Sequence, residues 1–192
     1  MMGLFMSTKA STRQAIIVAA DRLFYQQGFA HTSFANIAEQ VNISRGNFYH
    51  HFKTKDDILT AVIGWRREKI AAMLLVWEQQ AVTPHARIKQ YLQLLERNFN
   101  DIAQFGCPIG SLCTEVSKLG HQAKPIADAL SHLFIDWLQQ QFAACGCHQL
   151  ARTYALQAFA WSQGLAVMAT FAKDPGFVRQ EVKRMCEWVD SL

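Results

Sequence analysis

The side chains best suited to chemistry lie in one short stretch, residues 44–59, which reads SRGNFYHHFKTKDDIL. Asn47 can form two hydrogen bonds to an adenine edge, and Arg45 suits a guanine or a phosphate. His50 adds a further hydrogen-bonding group, and Gly46 has no side chain, which allows close approach of the backbone. This chemistry is recognition of a nucleic acid through its base edges and phosphates.

Two helices must position these groups. A short helix from Ser44 places Phe48 and Phe52 on one face, four residues apart, and leaves the polar groups on the other face. A second short helix precedes it, after Ser33, and Asn42 occupies a turn position that favours left-handed backbone. This arrangement predicts a helix-turn-helix whose second helix enters a DNA major groove about 12 Å wide.

The charge of the chain agrees with a polyanionic partner. Its net charge is +4, and residues 1–55 account for all of it. Lys53 and Lys55 follow the reading helix, and Thr54 caps the next helix, so both lysines are expected near phosphates. The asymmetry predicts that only the N-terminal part binds double-stranded DNA.

The whole chain has helical periodicity with few Pro and Gly residues, which predicts an all-α protein. The first helix is expected from about Ser11, with Gln14 at capping-box spacing, to Gln27. A three-helix domain over residues 1–54 should be followed by a larger helical domain over residues 55–192, the two sharing one helix near residues 58–65. The later helices are predicted at about 55–80, 84–105, 108–120, 121–144, 148–173 and 174 to near the terminus.

Composition indicates the compartment. Of the 192 residues 51% are hydrophobic, enough for a buried core, and no apolar run reaches the ~20 residues of a membrane span. The opening residues lack the features of a signal peptide, and the five cysteines favour a reducing compartment without disulfides. The sequence therefore predicts a cytoplasmic protein without a membrane partner.

The N-terminal part resembles the tetracycline-repressor (TetR) family of bacterial regulators. The resemblance covers about 47 positions, with matches in order and spacing at Arg13, Ile16, Ala20, Leu23, Phe24, Gly28, Phe29, Thr32, Ser33, Ile37, Ala38, Ile43, Ser44, Phe48, Tyr49, Phe52, Lys55 and Leu59. It implies a three-helix DNA-binding domain, a larger ligand-binding and dimerisation domain, and repression relieved by a small molecule.

The resemblance also implies residue roles. Tyr49 and Lys55 would contact phosphate, Asn47 and His50 would lie in the groove, and Thr32 or Ser33 would cap the second helix beside the DNA backbone. Asn42 replaces the usual turn glycine, and Ala35 stands where a polar residue is common, which suggests fewer base contacts from the second helix. The predicted DNA-binding residues are Thr32, Ser33, Ser44, Arg45, Gly46, Asn47, Tyr49, His50, Lys53 and Lys55.

A homodimer is expected because one helix-turn-helix makes too few base contacts, whereas two can bind paired half-sites. The predicted dimerisation residues are Ala155, Ala158, Ser162 and Ala166, with Ala169 on the same stripe, and Val178, Val182, Met185 and Val189. The small residues form one stripe at helical spacing, and the Val and Met residues form a second. The alternative is that they form the core of a single chain.

The larger domain is rich in aromatic side chains, which either line an apolar pocket for an unidentified small-molecule effector or form ordinary core. The predicted ligand-binding residues are Trp77, Phe99, Phe105, Cys107, Trp137, Phe159 and Trp161. Glu115 and Asp136 could recognise a cationic or hydroxylated ligand, although solvated surface is the default for each.

Cys107 is the basis of an alternative function. It directly precedes Pro108 at a predicted helix start, where free N–H groups favour a reactive thiolate. The protein could therefore sense electrophiles or oxidants through Cys107, with Cys113 as a second thiol, or Cys107 could be an inert core residue.

Enzyme and metal functions have little support. Gly110-Ser111-Leu112 lacks the glycine pattern of a nucleophile elbow, and no phosphate loop or metal-binding helix motif occurs. Cys145, Cys147 and His148 form only a weak ligand pattern without a fourth partner. We expect no catalytic residues, no metal and no cofactor.

Overall fold

A computed structural model describes residues 8–192, with the side chains of residues 8–11 left out. The opening segment, where no signal peptide is expected, lies outside the described residues. Over the described range the chain consists of α-helices joined by turns, without a strand. The all-α prediction is confirmed. None of the described helices is long and apolar enough to cross a membrane.

The N-terminal helices are those predicted, with small changes at their ends: α1 Thr8–Gln27, α2 Phe34–Gln40, α3 Arg45–His51 and α4 Lys55–Gln80. The first helix begins three residues before the expected start at Ser11. Phe52 lies just beyond α3, in extended backbone, rather than inside the helix.

Local hydrogen bonds define these helix ends. The Ser33 side chain accepts the Asn36 N–H, and the Asn36 side chain accepts the Ser33 N–H, which forms a capping box at α2. Thr54 and Asp57 exchange the same pair of bonds at 2.9 and 3.0 Å at the start of α4. Asn42 has a φ of +52°, as its position in the turn predicts.

The remaining helices are α5 Pro84–Leu92, α6 Leu94–Arg97, α7 Phe99–Phe105, α8 Pro108–Lys118, α9 Lys124–Ala144, α10 Ala151–Ala172 and α11 Pro175–Asp190. The single helix predicted over 84–105 is wrong. It is interrupted at Gln93 and at Asn98, whose φ of −109° and ψ of 22° depart from helical backbone. The Asn98 side chain donates to the Leu94 carbonyl at 2.9 Å, a local bond that competes with helix continuation.

The described part of the chain divides into two compact units. The first comprises the residues up to Arg66 together with Leu112–Ala127, and the second comprises Arg67–Ser111 and Asp128–Leu192. Three helices, α4, α8 and α9, begin in one unit and end in the other. The predicted sharing of a helix near residues 58–65 agrees with the course of α4.

The core of the first unit is formed by the apolar faces of its helices. Its fully buried side chains include Ile16, Ile37, Phe48, Ile58, Leu59, Val62 and Val116. The Arg66 guanidinium is buried and pairs with the Asp21 carboxylate, so this charge has an opposite partner.

The second unit has a core cluster formed by Leu95, Ile102, Leu165, Ala166, Ala169, Val178 and Val182. This cluster corrects the predicted dimerisation stripes. Ala155, Ala158, Ser162, Ala166, Val178, Val182 and Val189 are all buried within one chain, and Met185 is half-buried. Small side chains on α10 and valines on α11 therefore pack inside the protomer and are not available to a second copy.

Candidate nucleic-acid interface

The outward face of α3 carries the residues that the sequence singled out. Ser44, Arg45, Gly46, Asn47 and His50 are all exposed. The Ser44 side chain accepts the Asn47 N–H at 3.2 Å, which caps the helix and fixes its start. Because α3 is only seven residues long, these side chains occupy one patch about two turns high.

The opposite face of α3 is fixed in the core. Phe48 is 1% exposed and Phe52 is 3% exposed. The Phe48 ring lies 5.0 Å from that of Phe34 on α2, and the Arg13 guanidinium lies 4.9 Å above the Phe52 ring. Packing on both sides of the turn therefore holds α3 in one orientation with its polar face outward.

Tyr49 and Lys53 lie at the edge of this face. Tyr49 is 47% exposed, and its ring meets the Phe34 ring edge-on at 5.5 Å. The exposed Lys53 ammonium donates to the Tyr49 carbonyl at 2.7 Å, which leaves two of its three N–H donors for other acceptors. The Tyr49 ring is thus held against Phe34, and the Lys53 ammonium is held near Tyr49 while it remains accessible to a further acceptor.

A groove of about 210 Å³ separates α2 from α3. Its lining is mostly apolar with a polar rim, formed by Ser33, Phe34, Ala35, Ala38, Arg45, Phe48 and Tyr49. Ala35, the departure from the family pattern, lies in this wall and is exposed. Its small side chain helps to keep the groove open.

The chain is similar to known proteins in part of its sequence and in its fold. A model of bacterial regulatory proteins of the tetR family matches residues 16–62. A helix-turn-helix regulator of Lactococcus lactis, in the lacX 3' region, is 29% identical over 133 residues, which cover 64% of each chain. The repressor BepR of Brucella suis is 38% identical over 58 residues, which cover 30% of this chain and 28% of BepR.

The fold extends the likeness over nearly the whole chain. A tetR-family regulator from Agrobacterium tumefaciens superposes with a TM-score of 0.81 and 22% identity, covering 93% of this chain and 97% of that one. Residues 16–62 are thus similar in sequence to the tetR family of bacterial regulatory proteins, and the whole described chain has a fold found in members of that family. The matched segment contains α2 and α3 with the exposed patch described above.

The structure corrects one predicted DNA-contacting residue, Thr32. Thr32 is 1% exposed, and its hydroxyl donates to the Gly28 carbonyl at 2.7 Å while accepting from the Gln27 amide at 3.2 Å. A side chain buried in this way cannot reach DNA. Ser33, not Thr32, caps α2, and Ser33 is exposed.

Lys55, predicted as a phosphate contact, is bound within the chain. Its ammonium donates to the carbonyls of Phe29 at 2.7 Å, Ala30 at 3.1 Å and Thr32 at 3.1 Å. These three bonds match the three donors of an ammonium group. Lys55 therefore holds the turn between α1 and α2 in this structure.

Glu115 binds the turn between α1 and α2, a role that the sequence did not predict. Its carboxylate accepts the N–H groups of Phe29 at 2.9 Å and Ala30 at 2.8 Å, within the first unit. The sequence predicted a ligand contact or a solvated surface residue for Glu115. Because 85 residues separate Glu115 from Ala30, no local pattern could indicate this bond.

The predicted ligand-binding residues fall into separate groups in the second unit. Phe99, Cys107 and Trp161 pack against the buried core cluster. Trp77 and Trp137 form a ring pair 5.7 Å apart, with the Trp137 indole donating to Glu78 at 2.8 Å. Phe105 and Phe159 are half-buried.

A buried polar pair lies among these aromatic groups. The Tyr91 and Ser162 hydroxyls are 2.7 Å apart, and burial raises the pKa of Tyr91 far above its usual range. Because the Ser162 hydroxyl donates to the Phe159 carbonyl at 2.7 Å, the Tyr91 hydroxyl is the donor to Ser162. The pair gives this apolar region one internal hydrogen-bonding group.

The cysteines differ in environment. Cys107 is half-buried at the start of α8, and its sulfur accepts the Gly110 N–H at 3.4 Å. Burial raises the pKa of Cys145, with a further contribution from Cys147. Among the described residues, no three His, Cys, Asp or Glu side chains are grouped so as to hold a metal ion. Cys145, Cys147 and His148 therefore do not form such a group.

Proposed function

We propose that this protein is a DNA-binding transcriptional repressor of the bacterial cytoplasm that leaves a palindromic operator when a small molecule binds to its second unit. The observation that supports DNA reading best is the orientation of α3, whose Asn47 and His50 side chains are exposed while Phe48 is buried. A repressor is favoured because BepR, a relative matched over this region, is named as one. The proposal assigns no catalytic residue.

We propose that the protein acts as a homodimer through the exposed face of α10. This face carries Leu156, Val167, Met168 and Phe171, which are 46%, 62%, 37% and 67% exposed. Ala160 and Gly164 lie between them at helical spacing and are also exposed. An apolar stripe of this kind, with small residues at its centre, is typical of a helix that packs closely on a second copy.

We propose that the effector is an apolar or aromatic small molecule. In the second unit Phe99 and Trp161 pack against the core cluster, and the same unit contains the buried Tyr91–Ser162 hydroxyl pair. Apolar pockets with one or two polar groups are the usual binding sites for such molecules. Its binding would favour a conformation with lower affinity for DNA.

Selection from random duplex DNA tests the reading function. The wild-type protein should enrich a palindrome, and Asn47→Ala should relax the preference at one base pair in each half-site, with a cost of about 1–3 kcal/mol for the lost base contact. Asn100→Ala, an exposed asparagine on α7, is the matched control and should leave the selected sequence unchanged. If Asn47→Ala selects the wild-type sequence with wild-type affinity, Asn47 does not read a base.

A thiol-sensing function is the second candidate. The observation that favours it is the position of Cys107, which is half-buried at the start of the 11-residue helix α8 with its sulfur accepting the Gly110 N–H at 3.4 Å. In this alternative, an electrophile that alkylates Cys107 would replace the small-molecule effector as the signal.

A further inference from the structure

The turn that joins α1 to α2, residues 28–32, has unusual backbone requirements. Gly28 has a φ of +87°, and a Cβ added there would lie 3.0 Å from a Glu115 carboxylate oxygen. Gly28 ends α1 through its own N–H bond to the Phe24 carbonyl at 3.1 Å. The next two N–H groups, of Phe29 and Ala30, point away from the helix and need other acceptors.

The Glu115 carboxylate supplies both acceptors. Its two oxygens lie 2.9 Å from the Phe29 nitrogen and 2.8 Å from the Ala30 nitrogen, one oxygen for each N–H group. Bonds in which the acceptor is ionised are roughly twice as strong as neutral ones. One side chain from α8 thus satisfies both donors of the turn.

Lys55 satisfies the carbonyls of the same turn from the start of α4. Its ammonium also lies 4.4 Å from the centre of the Phe29 ring. Two N–H groups of the turn therefore face a negative group, and three of its carbonyls face a positive group. We refer to Glu115, Lys55 and the turn 28–32 as the turn clamp.

The chain beyond α8 adds to the turn clamp. The His121 ring meets the buried Phe29 ring edge-on at 5.3 Å, and its Nε2 lies 3.2 Å from the Asp56 carboxylate. The Ala123 N–H donates to His121 Nδ1 at 3.0 Å, which places the imidazole proton on Nε2, toward Asp56. Residues 112–127 therefore belong to the same compact unit as α2 and α3.

The turn clamp lies directly before the reading helices. Thr32 is buried and bonded to Gly28, and the next residue, Ser33, caps α2. Any change in the course of residues 28–32 would therefore shift the start of α2, and α3 would move with it because Phe34 and Phe48 pack together.

We propose that Glu115 is a positioning residue for DNA recognition, which fixes the α1–α2 turn and thereby the angle at which α2 and α3 meet the duplex. This inference rests on the proposed DNA-binding function and adds to it a requirement for Glu115, which lies about 60 residues downstream of the start of α4. Residues 1–66 alone would lack this support.

The test uses full-length protein with Glu115→Gln, which keeps the size of the side chain but turns an amide NH2 toward one of the two N–H donors. Glu187→Gln, an exposed change on α11, is the matched control. We expect hydrogen exchange at the Phe29 or Ala30 amide to become about tenfold faster, since one charge-assisted bond is lost. Affinity for the selected operator should fall about tenfold, whereas affinity for unrelated DNA and its salt dependence should stay unchanged.

The outcomes separate the two proposals. If the wild-type protein binds no DNA, the proposed function is wrong, and the positioning role, which depends on it, is wrong as well. If the wild type binds and Glu115→Gln binds the operator equally well, only the positioning role is overturned. The third outcome is that amide hydrogens exchange faster throughout the first unit and that affinity falls equally for operator and unrelated DNA. This result would show that Glu115 stabilises the unit in general, and it would also overturn the positioning role.

Discussion

At the residue scale, two neighbouring lysines have the same charge but different environments. Lys53 is exposed and keeps two free donors, whereas Lys55 uses its ammonium on three backbone carbonyls. We therefore predict that Lys53→Ala weakens binding to all DNA sequences and reduces the slope of log affinity against log salt by about 0.9, the contribution of one phosphate contact. Titration of a labelled duplex at several salt concentrations measures this slope.

Lys55→Met provides the contrasting variant. It should lower the free energy of unfolding by about 1–3 kcal/mol, because the carbonyls of the turn lose a charged donor. Its salt slope should equal that of the wild type. A slope reduced as much as in Lys53→Ala would show that Lys55 contacts phosphate in the complex, as the family resemblance implies.

The same residues show what a sequence can predict. The caps at Ser33 and Thr54, the left-handed Asn42 and the burial of Phe48 follow from interactions within a few residues, and the structure has all of them. The partners of Glu115 depend on contacts 85 or more residues away along the chain. Local spacing carries no information about such a bond.

At the element scale, α10 has two apolar faces. One consists of small side chains that are buried within the chain, and the other carries Leu156, Val167 and Phe171, which are exposed. Periodicity predicts an apolar stripe but does not decide which stripe the rest of the chain covers. This explains why the sequence assigned dimer contacts to the face that forms the core.

The exposed face leads to a direct prediction. Val167→Glu should convert a dimer into a monomer, because two buried carboxylates would meet at the interface without partners. Mass measurement by light scattering after size-exclusion chromatography gives the oligomeric state. Gln140→Glu, an exposed change on α9, is the matched control and should remain dimeric. A dimeric Val167→Glu variant would place the interface on another surface.

Helix ends show a similar division between local and distant causes. The starts of α5 and α11 follow from Pro84 and Pro175, each preceded by a capping Thr or Asp, and the sequence predicted both. The breaks at Gln93 and Asn98 were not predicted. Neither residue is Gly or Pro, and α6 and α7 pack on α11 and α10, so tertiary packing can favour separate short helices over one long helix.

At the scale of the whole molecule, we propose that α8 would connect a modification at Cys107 to DNA reading. It begins in the second unit, next to Cys107, and ends in the first unit, where Glu115 holds the α1–α2 turn. A helix of 11 residues transmits a displacement at one end to the other, because its backbone is hydrogen-bonded throughout. The turn clamp would then be the point at which the displacement reaches α2.

Alkylation of Cys107 tests this connection. An adduct on its sulfur would remove the Gly110 bond and crowd Gln163, whose side chain already fills the space beside Gly110. We predict that N-ethylmaleimide lowers operator affinity of the wild type by about 5–150-fold, the usual range of coupling between sites. Cys107→Ser should resist the reagent, and Cys113→Ser should respond as the wild type does. Wild-type affinity in protein shown by mass spectrometry to be fully modified at Cys107 would exclude the thiol as a signal and leave the small-molecule effector as the remaining proposal.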